Sequence, residues 1–133
     1  KADLEQIVAD APHHHHALTQ LAACYISMER PEKAEAPLNE ALRLAPEHTD
    51  AWHQRGLLYL DWGREEAALN DFEAAVRCDG NHLDARLHIA AIHHEAGRFI
   101  EASGAWKGVL AIEPEHAVAR RRREECDMAL ATM

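Results

Sequence analysis

The chain has 133 residues, of which 47% are hydrophobic and 28% charged, a composition typical of one folded globular domain. Its net charge of −9 argues against nucleic acid as the main partner, because phosphate binding needs a concentrated basic face. The basic run Arg120–Arg123 continues into two acids and is interpreted as a solvated helix face. No apolar run reaches the roughly 18 residues of a membrane-spanning helix, so no membrane insertion is expected.

The chain repeats itself with a period of 34 residues. Residues 15–48, 49–82 and 83–116 align without gaps, and positions 34 residues apart are called a column below. Small residues recur where two helices must approach closely, and a large apolar residue and a chain breaker recur elsewhere. The small columns are Ala22/Gly56/Ala90, Ala34/Ala68/Ala102 and Ala41/Ala75/Val109, the large column is Leu38/Phe72/Trp106, and the breaker column is Pro12/Pro46/Gly80/Pro114.

Residues 1–14 come first in the chain and match the second half of a copy. Leu4, Ile7 and Val8 form an apolar stripe at helical spacing, and Pro12 occupies the breaker column. A second helix without its first predicts that the natural protein has further repeats before Lys1.

One column, the last position of each copy, is occupied by histidine: His14, His48, His82 and His116. Equivalent positions on stacked helices lie about 8–10 Å apart, whereas metal–nitrogen bonds are about 2.0–2.1 Å long, so these four side chains cannot share one ion. We interpret the column as a turn or helix-start residue repeated with its module. The run His13–His16, compatible in isolation with a metal site or a purification tag, is then a module boundary. No metal site and no cofactor are expected.

Each complete copy is predicted to be a helix, a short turn and a second helix. In the first copy Leu18, Leu21 and Tyr25 share one face of the first helix, and Pro31 suits the start of the second. Pro37 lies further along that second helix and predicts a kink, because proline removes a backbone hydrogen bond.

Residues 117–133 continue as one helix after the third copy. Ala119, Cys126, Leu130 and Met133 have inward spacing, and the polar remainder is typical of a terminal cap. The start of a further degenerate repeat is the alternative.

Three cysteines, Cys24, Cys78 and Cys126, form neither a disulfide framework nor a zinc ribbon. Reduced and mostly buried thiols are expected, as in a cytoplasmic protein, although the sequence leaves the compartment open.

The copies resemble the tetratricopeptide repeat, whose pattern places Trp, Leu-Gly, Tyr, Ala, Phe and Pro at fixed offsets. The second copy carries Trp52, Gly56, Tyr59, Ala68 and Phe72, and departs from the pattern at Arg55 and Gly80. The first copy carries Leu18, Leu21, Ala22, Tyr25, Ala34, Leu38 and Pro46, and the third carries Ile89, Ala90, Ala102, Trp106 and Pro114, with Arg86 and His93 as departures. The resemblance implies an all-α fold, a right-handed superhelical α-solenoid of antiparallel helix pairs forming one domain.

In that family the first helix of each copy lines a concave groove that holds an extended or helical segment of a partner protein. The resemblance therefore implies a non-catalytic scaffold or adaptor. The groove-facing positions carried over from the family are His16, Thr19, Gln20, Ala23 and Ser27 in the first copy, Asp50, His53, Gln54, Leu57, Leu60 and Asp61 in the second, and Asp84, Leu87, His88, Ala91, His94 and Glu95 in the third.

The predicted groove mixes leucines with carboxylates. Such a surface suits a partner segment with apolar anchors surrounded by Lys or Arg, the alternative being that the acids form only a solvated face. Some family members bind a C-terminal carboxylate with a clamp of Lys, Asn and Arg. The corresponding places here, which hold no Lys or Arg, are Thr19, Ala23, Gln54, Asp84 and His88, so that kind of partner is not expected.

Other functions stay open. The chain could be the substrate-recruiting arm of a larger enzyme. It could also respond to pH between about 5.5 and 7, because histidine titrates near ~6.5 and the predicted acidic groove includes His16, His53, His88 and His94. Catalysis by the chain itself is not expected, since it has no glycine-rich phosphate loop and no serine in a G-x-S-x-G elbow. End-to-end self-association through terminal helices is a further expectation.

Overall fold

The structure, a computed structural model, describes residues 14–132. The predicted apolar stripe of the N-terminal segment lies outside the described residues. Within 14–132 there are seven α-helices, one short 3₁₀ helix and no strand. The helices are α1 (His14–Ser27), α2 (Glu35–Leu44), α3 (Thr49–Asp61), α4 (Glu65–Cys78), α5 (Leu83–Glu95), α6 (Phe99–Ile112) and α7 (Ala117–Ala131), with the 3₁₀ helix at Pro31–Lys33.

The chain divides into two compact units, one ending at Asp71 and the other beginning at Phe72, so that α4 contributes to both. In the first unit α1 packs against α2, and α2 packs against α3. In the second unit α5 packs against α6, and α6 packs against α7. Helices that follow one another in the sequence therefore bury their apolar faces against each other.

The core consists of the small and large columns predicted from the 34-residue period. Every described member of these four columns is buried. In the first unit Ala22, Ala34, Leu38 and Ala41 belong to one apolar cluster. In the second unit the cluster members from these columns are Ala90, Ala102, Trp106 and Val109. The predicted core is confirmed, and alanine lets the helix backbones approach because it adds little volume.

The turn after each first helix uses a residue with left-handed backbone, at Glu29 (φ 59°), Gly63 (φ 79°) and Gly97 (φ 78°). In all three turns the N–H of the next residue donates to a carbonyl five residues earlier: Arg30 to Tyr25 (2.7 Å), Arg64 to Tyr59 (2.8 Å) and Arg98 to His93 (2.9 Å). This arrangement satisfies carbonyls that the end of a helix leaves without partners. Glycine adopts it without steric cost, whereas a glutamate does not.

The histidine column marks helix starts. His48, His82 and His116 are the N-cap residues of α3, α5 and α7, each with extended backbone. The Nδ1 atom of His82 accepts the N–H of Ala85 at 3.1 Å, and that of His116 accepts the N–H of Ala119 at 3.2 Å. The interpretation of this column as a helix-start residue is confirmed, with imidazole in the role usually filled by Ser, Asp or Asn.

Pro37 does not interrupt a helix. The 3₁₀ turn at Pro31–Lys33 ends before α2 begins at Glu35, so Pro37 is the third residue of α2. The first N–H groups of a helix have no acceptor within it, and a proline there removes nothing. The predicted kink is therefore wrong, because the helix starts later than the periodicity indicated.

Arg55, a departure from the family pattern, forms a buried ion pair. Its Nε and Nη2 atoms each donate to one carboxylate oxygen of Asp71 at 2.9 Å, and its Nη1 donates to Asn39 Oδ1 at 2.8 Å. Asp71 is only 2% exposed. The guanidinium thus holds α3 to the first half of α4 within the first unit.

Arg86 and Gly80, two further departures, compensate for each other. The Nε of Arg86 donates to the carbonyl of Gly80 at 2.7 Å, as the indole N–H of Trp52 does to the carbonyl of Pro46 one period earlier. A Cβ at Gly108 would lie 2.8 Å from Arg86 Nη1, so the glycine makes room for the arginine.

The last helix, α7, has the predicted inward residues Ala119 and Cys126 fully buried. It is tied to α6 by the Ser103 hydroxyl, which donates to Asp127 at 2.8 Å. The expectation of mostly buried thiols is wrong for Cys24 and Cys78, which are exposed. Cys24 lies off the buried face of α1, and Cys78 is the last residue of α4.

Candidate functional site

The predicted groove residues differ in their accessibility. The exposed members are His16, Gln20, Ser27, Asp50, Leu57, Asp61, Asp84 and Glu95, and the half-buried members are Ala23, His53, Gln54, Leu60, Leu87, His88, Ala91 and His94. Thr19 is the exception, because it is buried at 4% exposure and its hydroxyl donates to the carbonyl of His15 at 2.8 Å. Its side chain bonds within α1 and offers nothing at the surface, so its place in the predicted groove is corrected.

A cavity of about 600 Å³ lies in the first unit, between the end of α1, the turn that follows it, and α3. It is lined by Ile26, Glu29, Pro31, Gln54, Leu57, Leu58 and Asp61. Ile26 and Leu57 are large apolar side chains that remain 40% and 38% exposed. The Glu29 and Asp61 carboxylates are exposed on the same lining. The cavity therefore combines an apolar floor with negative charge.

Three residues of the predicted groove, Gln54, Leu57 and Asp61, meet in this cavity. The sequence analysis missed Ile26 and Glu29. A signal for Ile26 was present, since its column holds Leu60, which was on the predicted groove. Glu29 gave no signal, because it belongs to the turn and the family pattern was carried over for the first helices alone.

His88 takes part in packing. Its ring stacks on Phe72 with centroids 4.8 Å apart and an interplanar angle of 14°. Burial lowers the pKa of His88, an effect that the Asp84 carboxylate opposes and His82 reinforces. The predicted role of this residue in the groove is thus limited by its contact with a core side chain.

His94, Cys126 and Glu125 are arranged in the order of a nucleophile, a base and a carboxylate. Cys126 Sγ lies 3.2 Å from His94 Nδ1, and His94 Nε2 lies 3.6 Å from Glu125 Oε1. Cys126 is fully buried, however, and burial followed by the charges of Asp127 and Glu125 raises its pKa. A neutral, enclosed thiol is a poor nucleophile, so we interpret this cluster as a packing contact between α5 and α7.

His15, His16 and His48, called the three-histidine cluster below, come together in the first unit. Their ring centroids are 4.3 Å (His15–His16), 5.1 Å (His15–His48) and 4.8 Å (His16–His48) apart. Burial lowers the pKa of His48, and the neighbouring rings of His16 and His15 lower it further. One ligand nitrogen from each ring lies within 4.8 Å of the other two, a geometry that could hold a metal ion.

The sequence analysis expected no metal site and missed this cluster. It tested members of one column against each other, and it tested histidines on a single helix. The cluster instead joins one member of the column, His48, to two histidines that follow another member in the chain.

The arginine run at the start of α7 is largely neutralised by neighbouring acids. Arg120 pairs with Glu115 at 3.2 Å, Arg122 with Glu125 at 3.0 Å and Arg123 with Asp127 at 3.6 Å. These pairs agree with the interpretation of a solvated helix face. Among the described helices none is both long and apolar enough to cross a membrane.

Comparison with known proteins identifies the family. A model described as tetratricopeptide repeat matches residues 21–93, more than half of the chain. The chain belongs to the tetratricopeptide repeat family. Such repeats are in general non-catalytic modules for protein–protein interaction. No curated protein matches this tetratricopeptide repeat chain in sequence.

Several solved structures share the fold at low sequence identity. The Arabidopsis OM64 TPR domain is 17% identical with a TM-score of 0.74, and the match covers 86% of this chain and 95% of that one. The first TPR of Spaghetti (RPAP3), bound to the HSP90 peptide SRMEEVD, is 19% identical with a TM-score of 0.73, covering 88% and 95%. A crystal structure of MamA is 16% identical with a TM-score of 0.82, covering 96% and 75%. The predicted all-α solenoid fold of the tetratricopeptide type is confirmed.

Proposed function

We propose that this tetratricopeptide repeat chain is a non-catalytic scaffold that binds an extended or helical segment of another protein. The family supports the general role, and one structural neighbour, the first TPR of Spaghetti, is seen with a bound peptide. The observation that carries the proposal is the cavity beside Leu57, which leaves large apolar side chains accessible next to carboxylates.

The cavity defines the chemistry of the partner. An apolar side chain of the partner would cover Ile26 and Leu57, since removing such surface from water stabilises a complex by roughly 25 cal/mol per Å². Lys or Arg on either side of that anchor would approach Glu29 and Asp61. The peptide SRMEEVD of the Spaghetti complex is acidic, and the carboxylates of this cavity disfavour a segment of that charge. The other predicted groove residues remain a prediction.

Selection from a random peptide library displayed on phage, with the whole chain as bait, tests the proposal. The enriched peptides should share one large apolar residue flanked by Lys or Arg. The affinity of a selected peptide is then measured by fluorescence anisotropy. Leu57→Glu and Asp61→Lys should each weaken binding at least about tenfold, or 1.4 kcal/mol, because the first places charge on the apolar lining and the second repels the basic flank.

Glu47→Lys is the matched control for Asp61→Lys. It makes the same change in net charge at an exposed position between α2 and α3 that does not line the cavity. Its affinity for the peptide should equal that of the wild type, and circular dichroism should show all variants folded. Selected peptides without a common apolar and basic pattern, or unchanged binding by Leu57→Glu, would refute the proposal.

A further inference from the structure

The three-histidine cluster brings together residues distant in sequence. His15 and His16 are the second and third residues of α1, and His48 is the N-cap of α3. The rings of His15 and His16 are tilted by 40° to each other, and both meet the His48 ring nearly edge-on, at 76° and 67°. The cluster therefore links the beginning of one helix to the beginning of another within the first unit.

The spacing of the nitrogen atoms suits a metal ion after small side-chain rotations. Around a tetrahedral Zn²⁺ with bonds of 2.0–2.1 Å, ligand atoms lie about 3.3 Å apart. The ligand nitrogens of the cluster lie within 4.8 Å of one another, so each would move by about 1 Å or less to reach this spacing. Rotation about the side-chain torsions of histidine supplies such a movement without a change in the backbone.

The environment of His48 supports this assignment. Its Nε2 atom is buried and has no hydrogen-bond partner among the described residues. A buried polar atom without a partner destabilises a folded protein, and a metal bond would satisfy it. His16 is exposed, so one side of the cluster is open to water or to a group from another molecule.

We propose that His15, His16 and His48 form a three-imidazole site for a divalent transition-metal ion of the zinc type. Imidazole nitrogen is a preferred ligand of Zn²⁺, Ni²⁺ and Cu²⁺, whereas Mg²⁺ and Ca²⁺ prefer oxygen. Three protein ligands leave a fourth coordination position, as in other three-histidine zinc sites. The bound ion would cross-link the start of α1 to the start of α3.

Titration of the chelator-treated chain with ZnCl₂ by isothermal calorimetry tests the site. The wild type should bind one ion per chain, and His48→Asn or His16→Gln should weaken binding at least about tenfold. Asn is a good N-cap residue, so His48→Asn keeps the start of α3 intact. His116→Asn is the matched control, because it makes the same change at another N-cap of the same column and should bind as the wild type does.

Thermal unfolding provides a second measurement. An ion that binds only the folded chain raises the unfolding midpoint, so Zn²⁺ should raise the midpoint of the wild type and of His116→Asn but not that of His48→Asn. Equal Zn²⁺ affinity of the wild type and His48→Asn would show that the histidine run alone holds the ion, and would overturn the proposal. Several weak sites unaffected by any of these substitutions would overturn it as well. Neither outcome depends on peptide binding at the cavity.

Discussion

Single residues at the ends of the first helices occupy the same left-handed conformation but carry different side chains. Two of the three described turns have glycine there, whereas the first has Glu29 at φ 59°. The left-handed conformation costs an ordinary L-residue roughly 1–2 kcal/mol, so the first turn is under local strain. The Glu29 carboxylate lines the cavity, where the proposed function gives it a basic partner.

Glu29→Gly should therefore stabilise the chain. We expect the free energy of unfolding to rise by about 0.5–1 kcal/mol, because the relief of strain exceeds the extra entropy of glycine in the unfolded state. Urea unfolding followed by circular dichroism measures the change. Met28→Gly, one residue earlier and without positive φ, is the control and should not stabilise the chain. An equal gain in both variants would contradict the explanation by strain.

At the scale of the helices, the buried Arg55–Asp71 pair replaces an apolar contact found in the other copies. The column of Arg55 holds Leu21 and Ile89, and the column of Asp71 holds Pro37 and Ala105. Both members of the pair thus depart from the apolar type together. A carboxylate this buried is tolerated because Arg55 makes two hydrogen bonds to it.

The single variant Arg55→Leu should lower the free energy of unfolding by about 3 kcal/mol, since it leaves the Asp71 charge buried without its partner. The double variant Arg55→Leu, Asp71→Ala should recover most of this loss, because it restores the residue types of the neighbouring copies. Urea unfolding of the wild type, both single variants and the double variant gives the coupling free energy. A double variant no more stable than Arg55→Leu would contradict the assignment.

The helices and their buried faces could be predicted because periodicity records which residues face the core. Ala34, Leu38 and Trp106 were identified in this way, and the structure buries them. The start of α2 could not be predicted in the same way, since it depends on a 3₁₀ turn that ends before Glu35. The burial of Thr19 also escaped prediction, because its hydroxyl bonds back to the helix itself.

The candidate sites were less predictable than the helices. Leu57 and Asp61 followed from the family positions, but Ile26 and Glu29 complete the cavity only after the turn is folded. The three-histidine cluster required distances between side chains 32 or 33 residues apart, which a comparison of identical columns does not provide.

For the molecule as a whole, histidine dominates the response to acid. Protonation of all eleven histidines would change the formal net charge from −9 to +2. His88 contributes to stability in a definite direction, since its pKa is lowered in the folded state by burial. The unfolded chain then takes up this proton first as the pH falls through about 6.5. The stabilisation is present above that pH and is lost below it.

We therefore expect the free energy of unfolding to decrease between pH 7.5 and pH 5. His88→Phe keeps a ring against Phe72 but cannot titrate, so its stability should decrease less over this interval. Urea unfolding at several pH values, with a chelator present to exclude metal effects, measures both curves. The same decrease in the wild type and in His88→Phe would contradict a role for this histidine.

The N-cap histidines, left-handed turns and buried columns recur with one common period, and this recurrence has a consequence at the level of the gene. A tandem duplication of 102 nucleotides beginning at any codon would insert a 34-residue segment whose two junctions fall in the same column. The longer chain would carry its own helix start, turn and core positions, with no new junction to optimise. The array is therefore of a kind whose length can change through unequal recombination while the ends of its helices stay correct.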